Sequence, residues 1–179
     1  LGDVYKRQDN MITGFTENPQ TNNFFILRKD NSITEYDINT GEALIVHALA
    51  TNSEKNFLRK MTVSDNGILF YSDIQDNTES IVMKNLQSGQ INRASNIRNF
   101  SSNIVVNKDA SLLYVSSLNN FITRFDLSNL KPDEEINVPQ RVIYLDTKRT
   151  QYNESIKTMI LSPDENTLAV VLNLSLIHI

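Results

Sequence analysis

Short apolar runs recur along the chain, many of them alternating with polar residues, and polar turn residues separate them. The stretch Ile104–Asp126 holds three such runs, IVV, SLLYVSS and FITRFD, divided by NKD and LNN. A period of two is typical of β-strands, and Asn and Asp favour turns because their side chains bond nearby backbone amides. No segment sustains the i, i+3, i+4, i+7 stripe of an amphipathic helix. The pattern therefore predicts an all-β chain, with strands over Phe24–Leu27, Ile68–Tyr71 and Leu112–Val115.

The same arrangement of runs and turns is repeated. It starts again at Met61 and Thr158, and its second half also starts at Asn22. Asp65, Asp109 and Asp164 occupy corresponding turns, 44 and 55 residues apart, and corresponding strand ends lie 48 and 41 residues apart. These periods bracket the roughly 40–50 residues of a four-stranded propeller blade. We therefore predict a partial β-propeller with about three four-stranded antiparallel blades and incomplete ones at the ends. The predicted units are residues 22–55, 56–100, 101–150 and an incomplete 155–173.

The two tips of the chain are related at the level of codons. DVYKRQ (Asp3–Gln8) and LSLIHI (Leu174–Ile179) can be encoded by strings that are reverse complements over all six codons. Those strings resemble a transposase end used to build sequencing libraries. We expect residues 1–8 and 174–179 to be translated adapter sequence, and residues 9–173 to be a truncated propeller. Truncation would leave two blade faces uncovered, so we expect the 9–173 segment to be marginally stable or prone to aggregation.

The composition excludes some classes of function but does not identify one. The chain is 40% hydrophobic with a formal charge of −4, which fits a globular domain and makes phosphate-backbone binding a poor candidate. No apolar run approaches the roughly 18 residues of a membrane span. Cys is absent, which excludes thiolate metal sites and disulfides within the chain. We expect no nucleic-acid or membrane partner; localisation stays open, with the lack of Cys favouring the cytoplasm.

The turn carboxylates have two interpretations. Asp65, Asp109 and Asp164 could form a catalytic or metal-binding constellation, and Asp37 and Asp126 repeat in the same way at strand ends. Because each lies in a different repeat, they should be spread around a ring. The structural interpretation is favoured, in which each carboxylate bonds the backbone amides of its own turn.

Four other features of the sequence also have both a functional and a structural interpretation. The loop Asp73–Glu79 offers oxygen ligands for Ca²⁺ but lacks the spacing and Gly of an EF-hand, so a solvated hairpin tip is favoured. His47 is the one His outside the predicted adapter and cannot make a His-based zinc site alone. Lys55, Arg59 and Lys60, with Phe57, form a small basic stretch, for which a solvated strand face is favoured over a nucleic-acid contact. Asn99–Ser101 and Asn153–Ser155 match the glycosylation pattern at a frequency expected of an Asn-rich chain. We predict no catalytic, cofactor-binding or metal-binding residues and no cofactor.

Two segments carry a family resemblance. SPDENTLAVVLN (162–173) and ITEYDINTG (33–41) resemble the S-P-D-G-x-x-L-A and I-x-x-W-D-x-x-T-G patterns of WD-repeat (WD40-like) proteins. Tyr36 and Phe125 stand where Trp is usual, and the family's Gly-His pair is absent. ILFYSDIQDNTESIVMKNLQSGQI (68–91) resembles a TolB-like blade more closely, because a longer polar turn precedes a strand ending in N-L-x-x-G. The resemblance is specific for a propeller and leaves the subfamily open.

The resemblance implies a non-catalytic scaffold that binds a protein partner at its top-face loops and central channel mouth. The alternatives are a propeller domain of a larger enzyme, such as the gating propeller of a serine peptidase, and a TolB-like envelope protein. A lactonase-type propeller enzyme is a further alternative. No G-x-S-x-G motif occurs in the chain. Fold alone does not decide among these functions.

Overall fold

The strands form four separate sheets, each built mainly from consecutive strands. The computed structural model describes residues 12–28, 30, 32–47, 60–75, 78–95, 97, 100–117, 121–145, 156–172 and 176–178. The first sheet contains β1 (Ile12–Glu17), β2 (Asn23–Arg28), β3 (Ile33–Asp37) and β4 (Ala43–His47). The second contains β5 (Met61–Val63), β6 (Ile68–Gln75), β7 (Thr78–Asn85), β8 (Ile91–Ala94) and β12 (Glu135–Ile136). The third contains β9 (Phe100–Val106), β10 (Leu112–Ser117), β11 (Phe121–Asp126) and β13 (Arg141–Tyr144). The fourth contains β14 (Ile156–Leu161), β15 (Leu168–Leu172) and β16 (Leu176–His178).

The prediction of an all-β fold is confirmed, since the described residues contain no helix. The runs predicted as strands lie in β2, β6 and β10. Consecutive strands within each sheet pair antiparallel as a meander, and none of the four sheets closes into a barrel. Among the residues described, no helix is both long and apolar enough to cross a membrane.

The core consists of three apolar layers, one between each pair of consecutive sheets. The first and second sheets bury Phe25, Leu27 and Ile33 against Leu69, Tyr71 and Val82. The second and third sheets bury Phe70, Ile81 and Met83 against Leu113, Val115 and Phe125. The third and fourth sheets bury Tyr114 and Ile122 against Met159, Leu168 and Val170. The period of two places alternate residues of one strand in different layers, as Leu69 and Phe70 show. The sheets therefore pack face to face in the order of the chain.

Corresponding positions of the four sheets can be aligned by the turn between the first two strands. A backbone hydrogen bond closes each turn, from Asn18 to Asn23, Ser64 to Ile68, Asn107 to Leu112 and Ser162 to Thr167. Counted back from these turns, Phe15, Met61, Ile104 and Met159 are counterparts, and they pair with Ile26, Tyr71, Val115 and Val170 respectively. The first strands also contact one another in sequence, β1 with β5, β5 with β9 and β9 with β14. The four sheets therefore share the arrangement of their first two strands and of the turn between them.

Three strands lie where the sequence did not indicate them. β1 pairs with β2, so the first sheet begins ahead of residue 22. β12 lies in the connection between β11 and β13 and pairs parallel with β8 of the second sheet. Ser95 donates its backbone N–H to the carbonyl of Ile136 at 2.8 Å, which secures that pairing. β16 falls within the stretch expected to be adapter sequence and pairs with β15. An open strand edge accepts such a segment because its backbone groups are otherwise unpaired.

Candidate protein-interaction surface

One end of the molecule is built from turns, and we call it the turn end. It comprises the turns between the first and second strands (18–23, 64–68, 107–112 and 162–167) and those between the third and fourth strands (37–42, 85–90 and 126–130). Within a sheet the two kinds of turn are bonded to each other: the N–H groups of Ile38, Leu86 and Leu127 donate to the carbonyls of Asn22, Gly67 and Ser111 at 2.7–3.0 Å. The turn end is therefore a continuous surface.

Hydrogen bonds also join turns of neighbouring sheets. The backbone N–H of Asp65 donates to the carbonyl of Lys108 at 3.0 Å, and Asn66 Nδ2 donates to the carbonyl of Asp109 at 2.8 Å. The backbone N–H of Lys108 donates to Glu165 Oε1 at 2.6 Å, and its Nζ donates to the carbonyl of Pro163 at 2.9 Å. These four bonds link the second, third and fourth sheets, so the exposed turns are held in fixed relative positions.

A repeated backbone conformation shapes these turns. Gly67, Ala110 and Glu165 each stand three residues after the start of their turn and have positive φ values of 76°, 58° and 60°. Each donates its N–H to the first residue of the turn at 2.8–3.0 Å. Only the second sheet uses Gly there, so Ala110 and Glu165 adopt a conformation that side chains disfavour. No sequence pattern marks this position, because three different residue types fill it.

Four of the five repeated aspartates bond within their own turns. Asp37 Oδ1 accepts the N–H groups of Asn39 and Thr40 at 2.8 and 2.9 Å, and this lowers the pKa of Asp37. Hydrogen bonds from Ser111 lower the pKa of Asp109, and those from Ser128 lower the pKa of Asp126. Side-chain bonds from Ser162 and Asn166 lower the pKa of Asp164. Asp109, Asp126 and Asp164 are exposed and Asp37 is half-buried, and hydrogen bonds stabilise the charged form of all four carboxylates.

Asp65 differs from the sequence-based expectation. No hydrogen bond to its carboxylate is found among the described residues; only its backbone N–H is engaged, by Lys108. The turn of the second sheet is one residue shorter than those of the third and fourth sheets, so Asn66 takes the position of Asp109 and Asp164. Ser64 Oγ donates to Asn66 Oδ1, just as Asn107 donates to Asp109 and Ser162 to Asp164. Because this turn is shorter, Asp65 does not align with Asp109 and Asp164 when residues are counted from the start of each turn.

A groove opens between the second and third sheets at the turn end, with a volume of about 190 Å³. Its floor is apolar and its rim carries the side-chain amides of Asn85, Gln90 and Asn92. Asn92 Nδ2 donates to the carbonyls of Lys131 and Glu134 at 2.6 and 3.1 Å, which fixes the connection that forms one wall. The remaining lining residues are Ile68, Phe70, Met83, Ala110, Leu127, Leu130 and Pro132.

A second cleft, of about 370 Å³, lies where the first strands of three sheets meet. Thr62 of β5, Ile104–Val106 of β9 and Met159–Leu161 of β14 line it. Lys108, Pro163 and Glu165 form its mouth at the turn end. The inter-sheet hydrogen bonds of Lys108 therefore border this cleft.

One ion pair lies in the interior, away from the turns. Arg93 donates through its guanidinium to Asp73 Oδ2 at 2.7 Å, and Asp73 is 4% exposed. Asp73 Oδ1 is buried with no hydrogen-bond partner among the described residues. Burial, with a smaller effect of the Asp73 charge, raises the pKa of Tyr71 to about 12. The Asp73 carboxylate therefore binds Arg93, and Asp73 lies within the β6–β7 pairing and not at the hairpin tip. It is thus not available as a ligand of the Ca²⁺ loop considered from the sequence. Asp76 and Asn77 of that loop lie outside the described residues.

The other predicted candidates are scattered. His47 ends β4 and pairs through its backbone with Ile33; its side chain is not among those described. Lys60 is exposed, whereas Lys55, Phe57 and Arg59 lie outside the described residues, as do Asn99 and the segment 153–155. In the part of the chain that the structure describes, no three His, Cys, Asp or Glu side chains come together as a metal site.

Comparison with known proteins gives a likeness in fold alone. No family model and no curated protein matches the sequence. Among 1046 matching chains of solved structures is the crystal structure of the computationally designed Ika4 protein. It superposes with a TM-score of 0.61 at 15% identity, over 95% of this chain and 91% of that chain. At this identity the likeness concerns the arrangement of strands and carries no information on function.

Proposed function

We propose that the chain is an open arc of a β-propeller and acts as a non-catalytic scaffold that binds a protein partner at the turn end. The propeller interpretation is supported by four successive meanders stacked in chain order, with their first strands side by side. Turn surfaces on a rigid β scaffold are common sites of recognition. The hydrogen bonds between the turns of neighbouring sheets supply that rigidity here.

The observation that carries this proposal is the groove between the second and third sheets. Its volume of about 190 Å³ is smaller than the roughly 300–1,000 Å³ of small-molecule sites. An apolar floor with a rim of side-chain amides suits one apolar side chain of a partner protein, whose backbone would bond to Asn85 and Gln90. We therefore propose a partner that inserts a single Leu, Met or Phe as its anchor.

A displayed peptide library panned against the whole chain tests this proposal. Leu130→Ser removes an apolar wall of the groove, and Ile38→Ser, at a turn residue of the first sheet that is 53% exposed, serves as the matched control. Selected peptides should contain a recurrent large apolar residue and lose at least about tenfold in affinity for Leu130→Ser, or about 1.4 kcal/mol. They should bind Ile38→Ser unchanged. Peptides that are insensitive to Leu130→Ser would contradict the proposal, as would steady turnover of peptide, ester or lactone substrates by the purified chain.

A further inference from the structure

The outer face of the first sheet exposes positions that every other sheet buries. Phe15 is 56% exposed, whereas its counterparts Met61, Ile104 and Met159 are 6%, 7% and 6% exposed because each packs against the preceding sheet. Phe15 contacts Phe24 with ring centroids 5.4 Å apart, and Phe24 stacks on Tyr36 at 5.4 Å. This aromatic row is the surface on which a preceding sheet would lie.

Two positions on β2, like Phe15, are more exposed than their counterparts in the other sheets. The counterparts of Phe24 are Leu69, Leu113 and Leu168, and those of Ile26 are Tyr71, Val115 and Val170; all six are buried. Phe24 and Ile26 themselves are half-buried. The first-sheet outer face, defined by Phe15, Phe24 and Ile26, therefore has the composition of an inter-sheet contact without the sheet that covers it.

The outer face of the fourth sheet also exposes a position that is packed against a following sheet elsewhere in the chain. Ile160 is 63% exposed, whereas its counterpart Val105 packs into the layer between the third and fourth sheets. Ala169 takes the position of Phe25, Phe70 and Tyr114, the aromatic residues that each sheet inserts into the next. We define the fourth-sheet outer face by Ile160, Ala169 and Val171.

The two outer faces differ from the internal contacts in residue size: one carries a smaller residue at a matching position and the other carries a larger one. At the three internal contacts an aromatic residue of one sheet meets a Met or Ile of the following sheet, as Phe70 meets Ile104. At the open faces the aromatic position holds Ala169, and the Met or Ile position holds Phe15. A smaller residue on one side with a larger one on the other conserves the total volume of the layer, which is the change that packed cores tolerate best. The fourth-sheet outer face thus complements the first-sheet outer face in size.

We infer that two copies of this chain associate head to tail, with the fourth-sheet outer face of each packed on the first-sheet outer face of the other. The contact continues the three inter-sheet contacts already present within one copy. No strand of the first sheet makes substantial contact with a strand of the fourth among the described residues, so one copy does not close on itself. Propellers have roughly four to eight blades, and two copies of four sheets reach the upper end of that range. A heterologous contact that closes in this way gives a ring of two. We base this inference on the proposed propeller arrangement, and on neither the groove nor its proposed partner.

The test is the mass of the whole chain in solution, measured by sedimentation across a dilution series, with the variants Phe15→Glu and Ile160→Glu. Both residues are more than half exposed in one copy, so neither change should disturb folding, which circular dichroism monitors. The unaltered chain should weigh twice 20.4 kDa, and each variant alone should be monomeric. An equimolar mixture of the two variants should form a heterodimer, because Phe15→Glu keeps its fourth-sheet outer face and Ile160→Glu keeps its first-sheet outer face.

Several results would overturn the inference. A mass of 20.4 kDa at every concentration would do so, as would polymers in place of a dimer. A dimer that Ile160→Glu leaves intact would indicate a symmetric contact through the first sheet alone. A mixture that stays monomeric would exclude the head-to-tail arrangement.

Disulfide trapping gives a second readout that does not depend on affinity. The chain has no Cys, so introduced thiols are the only ones present. Oxidation of a mixture of Phe15→Cys and Ala169→Cys should yield a covalent heterodimer, whereas either variant oxidised alone should form no covalent dimer. Ile38→Cys mixed with Ala169→Cys is the control, since Ile38 is exposed but lies in a turn outside the proposed contact. Equal yields from both mixtures would contradict the inference.

Discussion

Replacing Phe70 with Ala removes the aromatic ring that the second sheet inserts into the layer shared with the third sheet. Phe70 is fully buried and packs in one cluster with Leu113, Val115 and Phe125. Because these partners belong to a different sheet, the layer cannot collapse around the gap without moving a whole sheet. Phe→Ala substitutions at such sites cost about 3–5 kcal/mol. Against the roughly 5–15 kcal/mol total stability of a domain, that is a large fraction.

Urea unfolding followed by circular dichroism measures this loss, with Tyr144→Ala as the matched control. Tyr144 is an aromatic residue of β13 that is 78% exposed and contacts Phe121 with ring centroids 5.9 Å apart, so its removal should cost no more than about 1 kcal/mol. With an m-value of about 2 kcal/mol per M, Phe70→Ala should move the midpoint down by about 2 M and Tyr144→Ala by about 0.5 M or less. Equal shifts for the two variants would refute face-to-face packing of the second and third sheets.

Three further predictions concern the turns and the interior ion pair. Turn amides lower the pKa of Asp37, so its charge stabilises the fold above the unfolded-state pKa and that contribution is lost as pH falls through the lower folded-state pKa. Asp37→Asn, which keeps an accepting oxygen, should therefore lose less Tm between neutral pH and about pH 3 than the unaltered chain; an unchanged pH profile would argue against this. Gly67→Ala and Gly89→Ala should both lower Tm because both residues have positive φ, and the two losses should be similar because a Cβ at 67 would meet only the end of the flexible Gln20 side chain; an unchanged Tm in either variant would count against these turn conformations. Arg93→Met should lower the free energy of unfolding in urea by about 2 kcal/mol, because it leaves the buried Asp73 carboxylate without its ionic partner. Asp73→Asn should lower it by less, and the reverse order would contradict this prediction.

The elements that sequence predicted well are those with local causes. β2, β6 and β10 are runs of apolar and aromatic residues between turns, and such runs favour strands wherever they lie. The turn function of Asp37 and Asp126 was likewise predictable, because an Asx side chain bonds amides two or three residues ahead of it.

The features that the sequence did not predict depend on contacts between residues that are far apart in the chain. β12 is two residues long and takes its conformation from the edge of β8, roughly forty positions earlier in the chain, so no local pattern marks it. The bond from Lys108 to Glu165 joins turns of different sheets. Asp65 was aligned with Asp109 by residue type, whereas the closing hydrogen bonds show that the intervening turn is one residue shorter. A single sequence does not reveal where such a deletion falls.

The candidate surface was predictable only in outline. Loops at one end of the repeated sheets were expected to carry binding, and the turn end fits that expectation in position. The groove between the second and third sheets was not foreseen, because Asn92, Leu127 and Leu130 meet only when β8 and the connection after β11 lie together. Residue spacing within one sheet gives no information about which loop of the next sheet covers it.

The central feature of this structure is the packing of four sheets face to face in the order of the chain. Methyl–methyl nuclear Overhauser effects in a sample labelled at Ile, Leu and Val measure this directly. We expect cross-peaks from Leu27 to Leu69, from Ile81 to Leu113 and from Ile122 to Leu168, each joining consecutive sheets. Cross-peaks that join the first sheet to the third, or the absence of any between the second and third, would contradict the account.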